Sequence, residues 1–229
     1  GVGSSSNGAA AFGASITMET NTINKEAYST IDNSFGSFNT FKNTVKTGTG
    51  LLNNKFTIDT RLSTIQSDGY VDRSASKLQS FYLSGAWLGE KSNLRATMFS
   101  GKERTEQAWY GTPESVINGN QEEIVAYADR NYIDGAAREN LLNSGRKYNY
   151  YTYDNEVDNY QQDNYQLHFN HSFTTDLKLS AAAHYTRGKG FFEQYKADED
   201  FSDYNFSPII LSNDTITTTD LIRRRWLDN

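Results

Sequence analysis

With 36% hydrophobic and 14% aromatic residues in 229, the chain is too aromatic for disorder and too polar for an ordinary two-sided core, and suits a structure with one apolar face. Its formal charge of -6 comes from 22 basic and 28 acidic side chains, and it has no Cys, which excludes disulfides and thiolate metal sites. No apolar run approaches the roughly 18 residues of a membrane-spanning helix, although barrel strands alternate and never give such a run.

The opening GVGSSSNGAAAFGASITMETN is rich in small residues and then turns strand-like, with Ile16 and Met18 on one face. Its glycines fit neither phosphate-binding fingerprint, since GxGxxG fails at Ser6 and no Gly-Lys-Ser/Thr follows. Close backbone packing is their expected use. The chain is read as a piece of something longer, with any targeting signal removed.

Strands are expected over roughly 25–36 and 39–49, then in KFTIDTRLSTI, where Phe56, Ile58 and Leu62 alternate with Thr57, Asp59, Arg61 and Ser63. SKLQSFYLSGAWLG and NLRATMFSGKER continue the series. Two clearer strands follow the insertion at 105–160: Tyr165, Leu167, Phe169 and Phe173 form one apolar stripe, and Leu177, Leu179, Ala181, Ala183 and Tyr185 the other. That insertion holds ten acidic and four basic residues, so the net charge of the chain resides there. Within it, Thr112-Pro113 is expected to start a helix, with QEEIVAYADR and GAARENLLNSG as further helices, making an ordered lid.

From the third strand onward the connections alternate short and long, with the long ones, 66–77, 105–160 and 188–215, all on one rim. Long strands with tight turns on one rim and long loops on the other are the pattern of a transmembrane barrel. A soluble sandwich favours strands of about five or six residues. The fold class expected is therefore all-β: an antiparallel up-and-down meander forming part of a transmembrane β-barrel. Its apolar stripe would meet lipid and its polar stripe the lumen, with Tyr28, Tyr82, Trp87, Tyr165 and Tyr185 supplying interfacial girdles. Alternation alone leaves open a soluble sheet, since it does not say which side is wet.

Several stretches carry a resemblance to a known family. GVGSSSNGAAAFGASITMETN resembles the end of the plug domain of TonB-dependent outer-membrane receptors, and specifically the Bacteroidetes-type iron-complex receptors. FSGKERTEQAWYGTPE at 99–114, YNYYTYDNEVDNYQQDNYQLHF at 148–169, HYTRGKGFFEQYK at 184–196 and the closing TDLIRRRWLDN are similar to the same group. The resemblance implies a plugged barrel of roughly 22 strands, with 1–22 as the C-terminal end of the plug and 23–229 as its first seven or eight strands. It further implies an outer-membrane location, a non-enzymatic receptor, a ferric siderophore or similar metal chelate as ligand, and a periplasmic TonB complex reached through a region upstream. Outer-membrane lipid is the surrounding partner; no cofactor and no nucleic acid are expected. A passive porin, a surface adhesin or a soluble glycan-binding sheet are the alternatives.

Aromatic faces and fixed arginine forks grip a large planar or anionic chelate with little reorganisation. The candidates on the long loops are Arg104, Trp109, Tyr110, Arg138, Arg146, Tyr150, Tyr151, Arg187, Phe191, Phe192 and Tyr195. Asp154, Glu156 and Asp158 alternate, so an extended backbone would align three carboxylates as calcium ligands; solvated loop acids are the competing reading. Of the three histidines, His168 and His171 should point to opposite faces, whereas His168 and His184 should be diagonal neighbours on the lumen side if Phe173 pairs with Leu177.

Overall fold

The computed structural model describes residues 23–229. The plug segment expected over 1–22, with its strand near Gly13–Asn21, lies outside the described residues.

The elements run β1 (Tyr28–Gly36), β2 (Thr40–Gly48), β3 (Phe56–Ser67), β4 (Ser76–Leu88), β5 (Ser92–Glu106), α1 (Glu114–Asn118), α2 (Gln121–Arg130), α3 (Gly135–Asn143), β6 (Val157–Ser172), β7 (Lys178–Asp200), β8 (Ile209–Leu211), β9 (Asp214–Ile216) and β10 (Thr218–Asp228). Eight strands form one antiparallel sheet in the order β1-β2-β3-β4-β5-β6-β7-β10, an open meander whose edges are β1 and β10. β8 and β9 make a separate hairpin between β7 and β10.

The rims divide as expected. On one, β2 and β3 are joined by 49–55, β4 and β5 by 89–91, and β6 and β7 by 173–177; on the other lie 37–39, 68–75, the insertion 107–156, and 201–217. The third long connection is shorter than the sequence implied, because β7 runs to Asp200. The glycines that read as loop at 188–190 are in-strand: a Cβ on Gly188 would meet the Tyr160 hydroxyl, and one on Gly190 the Asn159 carbonyl. They make room for a tyrosine laid across the strand. The 37–39 turn is short because Phe38 and Asn39 both take positive φ (59° and 51°), the tight geometry that matches strand twist.

Directly paired residues share a face, so the register sorts the sheet. Ile31, Val45, Leu62 and Phe81 form one row, and Met98 continues the stripe with Tyr165 and Tyr185 opposite it. This apolar face is open: Phe35 is 75% exposed and Leu62 55%. The opposite face is polar and more enclosed, with Thr44, Thr57, Ser84 and Thr97 all buried. A soluble sheet would do the reverse.

The apolar band drifts along the strands. Its upper edge lies at Phe35 and Phe41 on β1 and β2, in register with Gln66, Lys77 and Arg104, whereas the continuous stripe on β5 to β7 ends at Met98, Tyr165 and Tyr185, with Phe191 set apart above the basic positions Arg187 and Lys189. That is roughly one residue per strand, which at ~3.3 Å rise and ~4.8 Å spacing corresponds to a strand tilt of about 35°, within the range of closed barrels. Two of the five expected girdle residues fall elsewhere. Tyr28 pairs with Gly48 beside Asp59, to whose Oδ1 its hydroxyl donates (2.9 Å), and Tyr82 pairs with Arg61, so both stand on the polar face.

The buried apolar cluster belongs to the insertion: Val116, Ile124, Ala128, Leu141 and Tyr148 pack together, with Tyr127, Ile133 and Leu142 against them. α2 spans the stretch read as helical, and its Asn120 cap accepts the Glu123 N–H (3.3 Å). At α1, Thr112 does not cap; Pro113 takes that position, and the Thr112 hydroxyl donates instead to the Tyr148 carbonyl (3.3 Å).

Candidate functional site on the long-loop rim

The long-loop rim is tied together by polar side chains that satisfy backbone groups. Asn149, 1% exposed, donates from Nδ2 to the carbonyls of Asp72 (2.8 Å), Arg73 (3.1 Å) and Gln107 (2.9 Å), while its Oδ1 accepts the Tyr151 N–H (3.1 Å). One side chain thus joins the 68–75 loop, the end of β5 and the insertion. The Asp72 N–H donates to the Lys147 carbonyl (2.8 Å) and Arg73 Nε to the Tyr151 carbonyl (2.8 Å). On the other side, buried Gln107 donates to the carbonyls of Glu193 (2.7 Å) and Val157 (3.4 Å). Phe38 of the first turn stacks edge-on against Tyr70 (5.5 Å), and its carbonyl accepts the Asp68 N–H (2.8 Å).

Above this frame lies an aromatic cluster. Tyr151 is buried at its centre, 6.0 Å from Trp109, 5.6 Å from Tyr110 and 5.5 Å from Tyr150; Tyr110 and Tyr150 are 4.8 Å apart, and Trp109 reaches Phe192 at 6.2 Å. Trp109 (55%), Tyr110 (61%) and Tyr150 (54%) keep more than half their surface open. Tyr195 is close by and stacks on Tyr153 at 5.9 Å. Burial pushes the Tyr148 and Tyr151 hydroxyls up to about 12, neighbouring tyrosines adding to it, with Glu156 a further cause at Tyr151. At the turn after β7, the Tyr204 hydroxyl donates to Glu199 Oε2 (2.6 Å), and that bond raises its pKa. The cluster therefore offers neutral ring faces and hydroxyl donors.

Five of the eleven candidates, Trp109, Tyr110, Tyr150, Tyr151 and Phe192, thus meet in one place, with Tyr195 adjoining. The arginines do not join them. Arg138 is spent on an ion pair with Asp129 (2.7 Å) and on the Ile133 carbonyl, fastening α3 to α2. Arg146 is exposed on the short turn Gly145–Lys147. Arg104 donates to Asn155 (3.2 Å), and both it and Arg187 belong to the face that carries the apolar stripe. Phe191 shares that face, 5.1 Å from Trp226, with the Arg224 guanidinium 4.4 Å above its ring. The guanidinium of Arg73, bonded to the Tyr151 carbonyl, stands beside the aromatic cluster, and sequence reasoning missed it.

The three aligned carboxylates do not form a metal site. Glu156 is buried and turned inward, accepting the N–H groups of Tyr195 (3.0 Å) and Tyr153 (3.3 Å), so it clasps the insertion to β7. Asp154 stays exposed. No group of three or more His, Asp or Glu able to hold a metal occurs among the described residues. The histidines follow the register: Phe173 donates to the Leu177 carbonyl (2.9 Å), and His168, opposite Ala182, lies diagonal to His184 on the polar face. His171 is on the other face, hydrogen-bonded to Ser92 (2.6 Å) and packed on Phe173.

On the polar face near the turn rim, a depression of about 390 Å³ is lined by residues that include Tyr28, Lys46, Asp59, Arg61, Tyr82 and Arg95. No helix among the described residues is long and apolar enough to cross a membrane, which says nothing about strands.

The open, tilted meander with one long-loop rim is the architecture of part of a large up-and-down barrel. Among solved structures, the chain is similar to the closed form of the ferric-catecholate import receptor Fiu from Escherichia coli K12, with a TM-score of 0.58, 15% identity, 90% of this chain and 27% of that chain covered. The open form of Fiu gives 0.51, 16%, 71% and 24%. The chain thus spans about a quarter of the receptor it matches, and at this identity the likeness shows the fold. No family model and no curated protein sequence match the chain.

Proposed function

We propose that this chain is the first part of the barrel of a TonB-dependent outer-membrane receptor that imports a ferric siderophore or similar metal chelate, without covalent chemistry. The observation that carries the proposal is the inversion of the sheet, open on its apolar face and enclosed on its polar one, in a meander that follows Fiu over 90% of this chain. An exposed band of this kind is stable against lipid. From Tyr165 to Phe173 the band extends roughly 26 Å along β6 at ~3.3 Å per residue, about 22 Å once tilted, near the ~25 Å apolar height of outer-membrane barrels. Trp87 near the turn rim and the stacked Tyr165–Tyr185 pair (6.1 Å) at the upper edge serve as girdles.

In this reading the polar face lines the lumen, where the plug would sit, and the long-loop rim faces the exterior. The open faces of Trp109, Tyr110 and Tyr150, with Arg73 beside them, take up the chelate, while the helical insertion acts as its lid. The motifs at 99–114, 148–169 and 184–196 support the finer assignment to Bacteroidetes-type iron-complex receptors. Energy would come from the TonB complex through a segment upstream of the plug.

The test is uptake of radiolabelled ferric chelate by iron-starved cells carrying or lacking the full-length gene. Loss of uptake on deletion, restored by the wild-type gene and reduced at least tenfold in affinity by W109A/Y110A/Y150A, is the expected result. Unchanged uptake across a panel of chelates in the deletion strain would overturn the assignment.

A further inference from the structure

The run Arg223-Arg224-Arg225 on β10 reads as one basic patch, but strand alternation divides it. Arg224 stands on the apolar face opposite Glu193, with which it pairs (2.6 Å). Arg223 and Arg225 stand on the polar face, opposite Gln194 and Phe192 respectively. Phe192 is the ring that β7 gives to the aromatic cluster, 6.2 Å from Trp109. Directly opposed residues on neighbouring strands have Cβ atoms about 5 Å apart, so Arg225 adjoins the cluster from one strand beyond it.

Neither guanidinium is neutralised among the described residues, whose ion pairs are Lys46–Asp32, Arg138–Asp129 and Arg224–Glu193. Arg225 is exposed. Arg223 is half-buried: its Nη2 donates to Gln194 Oε1 (2.9 Å), while its Nε is buried with no acceptor among the described residues. A buried donor without an acceptor is costly, and a ligand oxygen there would remove the cost. The carboxylates around the pair are distant or engaged. Asp158 is on the far side of Phe192 in the same row, two strands and roughly 10 Å from Arg225 at ~4.8 Å per strand. Glu156 is held by two backbone N–H groups. Glu199 accepts the Tyr204 hydroxyl (2.6 Å), and Asp220 accepts the Tyr195 hydroxyl (2.7 Å) and the Asp198 N–H (3.1 Å). Asp198 and Asp200 lie farther out on β7, at least ~13 Å beyond Gln194 at ~3.3 Å per residue. Asp228 is on the opposite face with Arg224. Lys196, the next polar-face position beyond Gln194, adds a third cation.

We propose that Arg223 and Arg225 are the anion-recognising arm of the ligand site, and that the chelate it takes is therefore a net-negative one. This rests on the chelate reading above and names the charge class within it. Acidic oxygens of the ligand accept from the two guanidinium forks, bidentate where the oxygens are paired, while its planar part lies on the open face of Trp109. Most acids of the insertion are exposed, and salt screens exposed charges beyond ~8 Å. The local cations therefore decide the preference.

The experiment uses the full-length chain in neutral detergent and two probes, an anionic ferric tris(catecholate) and a neutral ferric tris(hydroxamate), with binding measured by equilibrium dialysis of radioiron. Wild type should prefer the anionic complex, and that affinity should fall as salt rises. R225Q should weaken the anionic complex about tenfold to a hundredfold, the size of a lost hydrogen bond to a charged group, and leave the neutral one unchanged. R223Q should act in the same direction. R225K keeps the charge without the fork and should recover part of the loss. R130Q removes an equal charge from the exposed end of α2 and should change neither affinity. A wild-type preference for the neutral complex, equal weakening of both complexes in R225Q, or the same loss in R130Q would each overturn the proposal. Binding of neither complex by folded wild type is a separate result, and it overturns the chelate reading itself.

Discussion

The insertion and the sheet bury opposite things. In the insertion Leu141 and Ala128 are fully buried while most of its charged residues face outward, whereas in the sheet Thr57 and Thr97 are buried and Ile31 and Leu62 are open. One stretch of chain therefore carries its own water-facing fold, with a small core that needs nothing from the sheet. The other has an apolar surface with no partner among the described residues. Hydrophobic burial is proportional to area removed from water, so the first region is stabilised by its own folding and the second by whatever covers it.

The sharpest way to break this contrast is to cut each apolar set in turn. Leu141→Ala leaves a cavity in a core of few residues, and a buried Leu→Ala change costs ~2–5 kcal/mol. The expected result is a protease-sensitive insertion around 107–156 in a barrel that still assembles and resists unfolding in detergent. Loss of the whole barrel instead would mean that the insertion is not an independent unit.

Leu167→Arg tests the other side. Leu167 is 46% exposed on the apolar face, where a soluble sheet would tolerate arginine within about 0.5 kcal/mol. Facing lipid about 5 Å below the band's upper edge, it costs ~1–3 kcal/mol, between the interfacial and midplane values, so assembly into lipid vesicles should fall while the insertion keeps its fold. Equal stability of variant and wild type would identify the apolar face as wet.

Asn149→Ala acts at the joint between the two regions. It removes the one amide group that donates to three carbonyls in the 68–75 loop and at the end of β5, and unsatisfied buried groups cost ~1–3 kcal/mol. The expected outcome is faster hydrogen exchange in 68–75 and 107–112 with β5 below Glu106 unaffected. Protection unchanged at both segments would show that the lid is held by its aromatic contacts alone.

Periodicity and connection lengths belong to residues close together along the chain, which is why the strands, the sidedness of the loops and the α2 boundaries are legible in the amino-acid sequence alone. The histidine faces follow from the same parity. What is not legible depends on register and side-chain direction between distant segments. Tyr82 reads as a girdle aromatic until its pairing with Arg61 puts it on the polar face. Glu156 reads as one of three aligned acids until it turns to the Tyr153 and Tyr195 amides. Arg138 has no visible partner in the sequence because Asp129 is on another helix. Asn149 and Arg73 give no signal at all, since an asparagine among tyrosines and an arginine in a loop are common, and only the fold brings the carbonyls they bind to one point.

The mildest test leaves the sequence intact and changes only pH. Tyr148 and Tyr151 have their hydroxyls raised from 10.0 to about 12 in the folded insertion, chiefly by burial. A raised folded value means that the neutral form is favoured by the fold, so this contribution is fully present below pH ~10 and is lost as pH rises through about 12. No effect is expected at neutral pH. Between those limits the unfolded insertion ionises first, so its protease resistance should fall while the sheet, whose apolar face carries no such buried hydroxyl pair, should hold. Tyr148→Phe should move the loss upward, since the ring stays in the core without a proton to lose. A phenolate absorbance that rises near pH 10 with the insertion still protected would show that these hydroxyls reach solvent, and the water-facing region would then lack the closed core that sets it apart from the sheet.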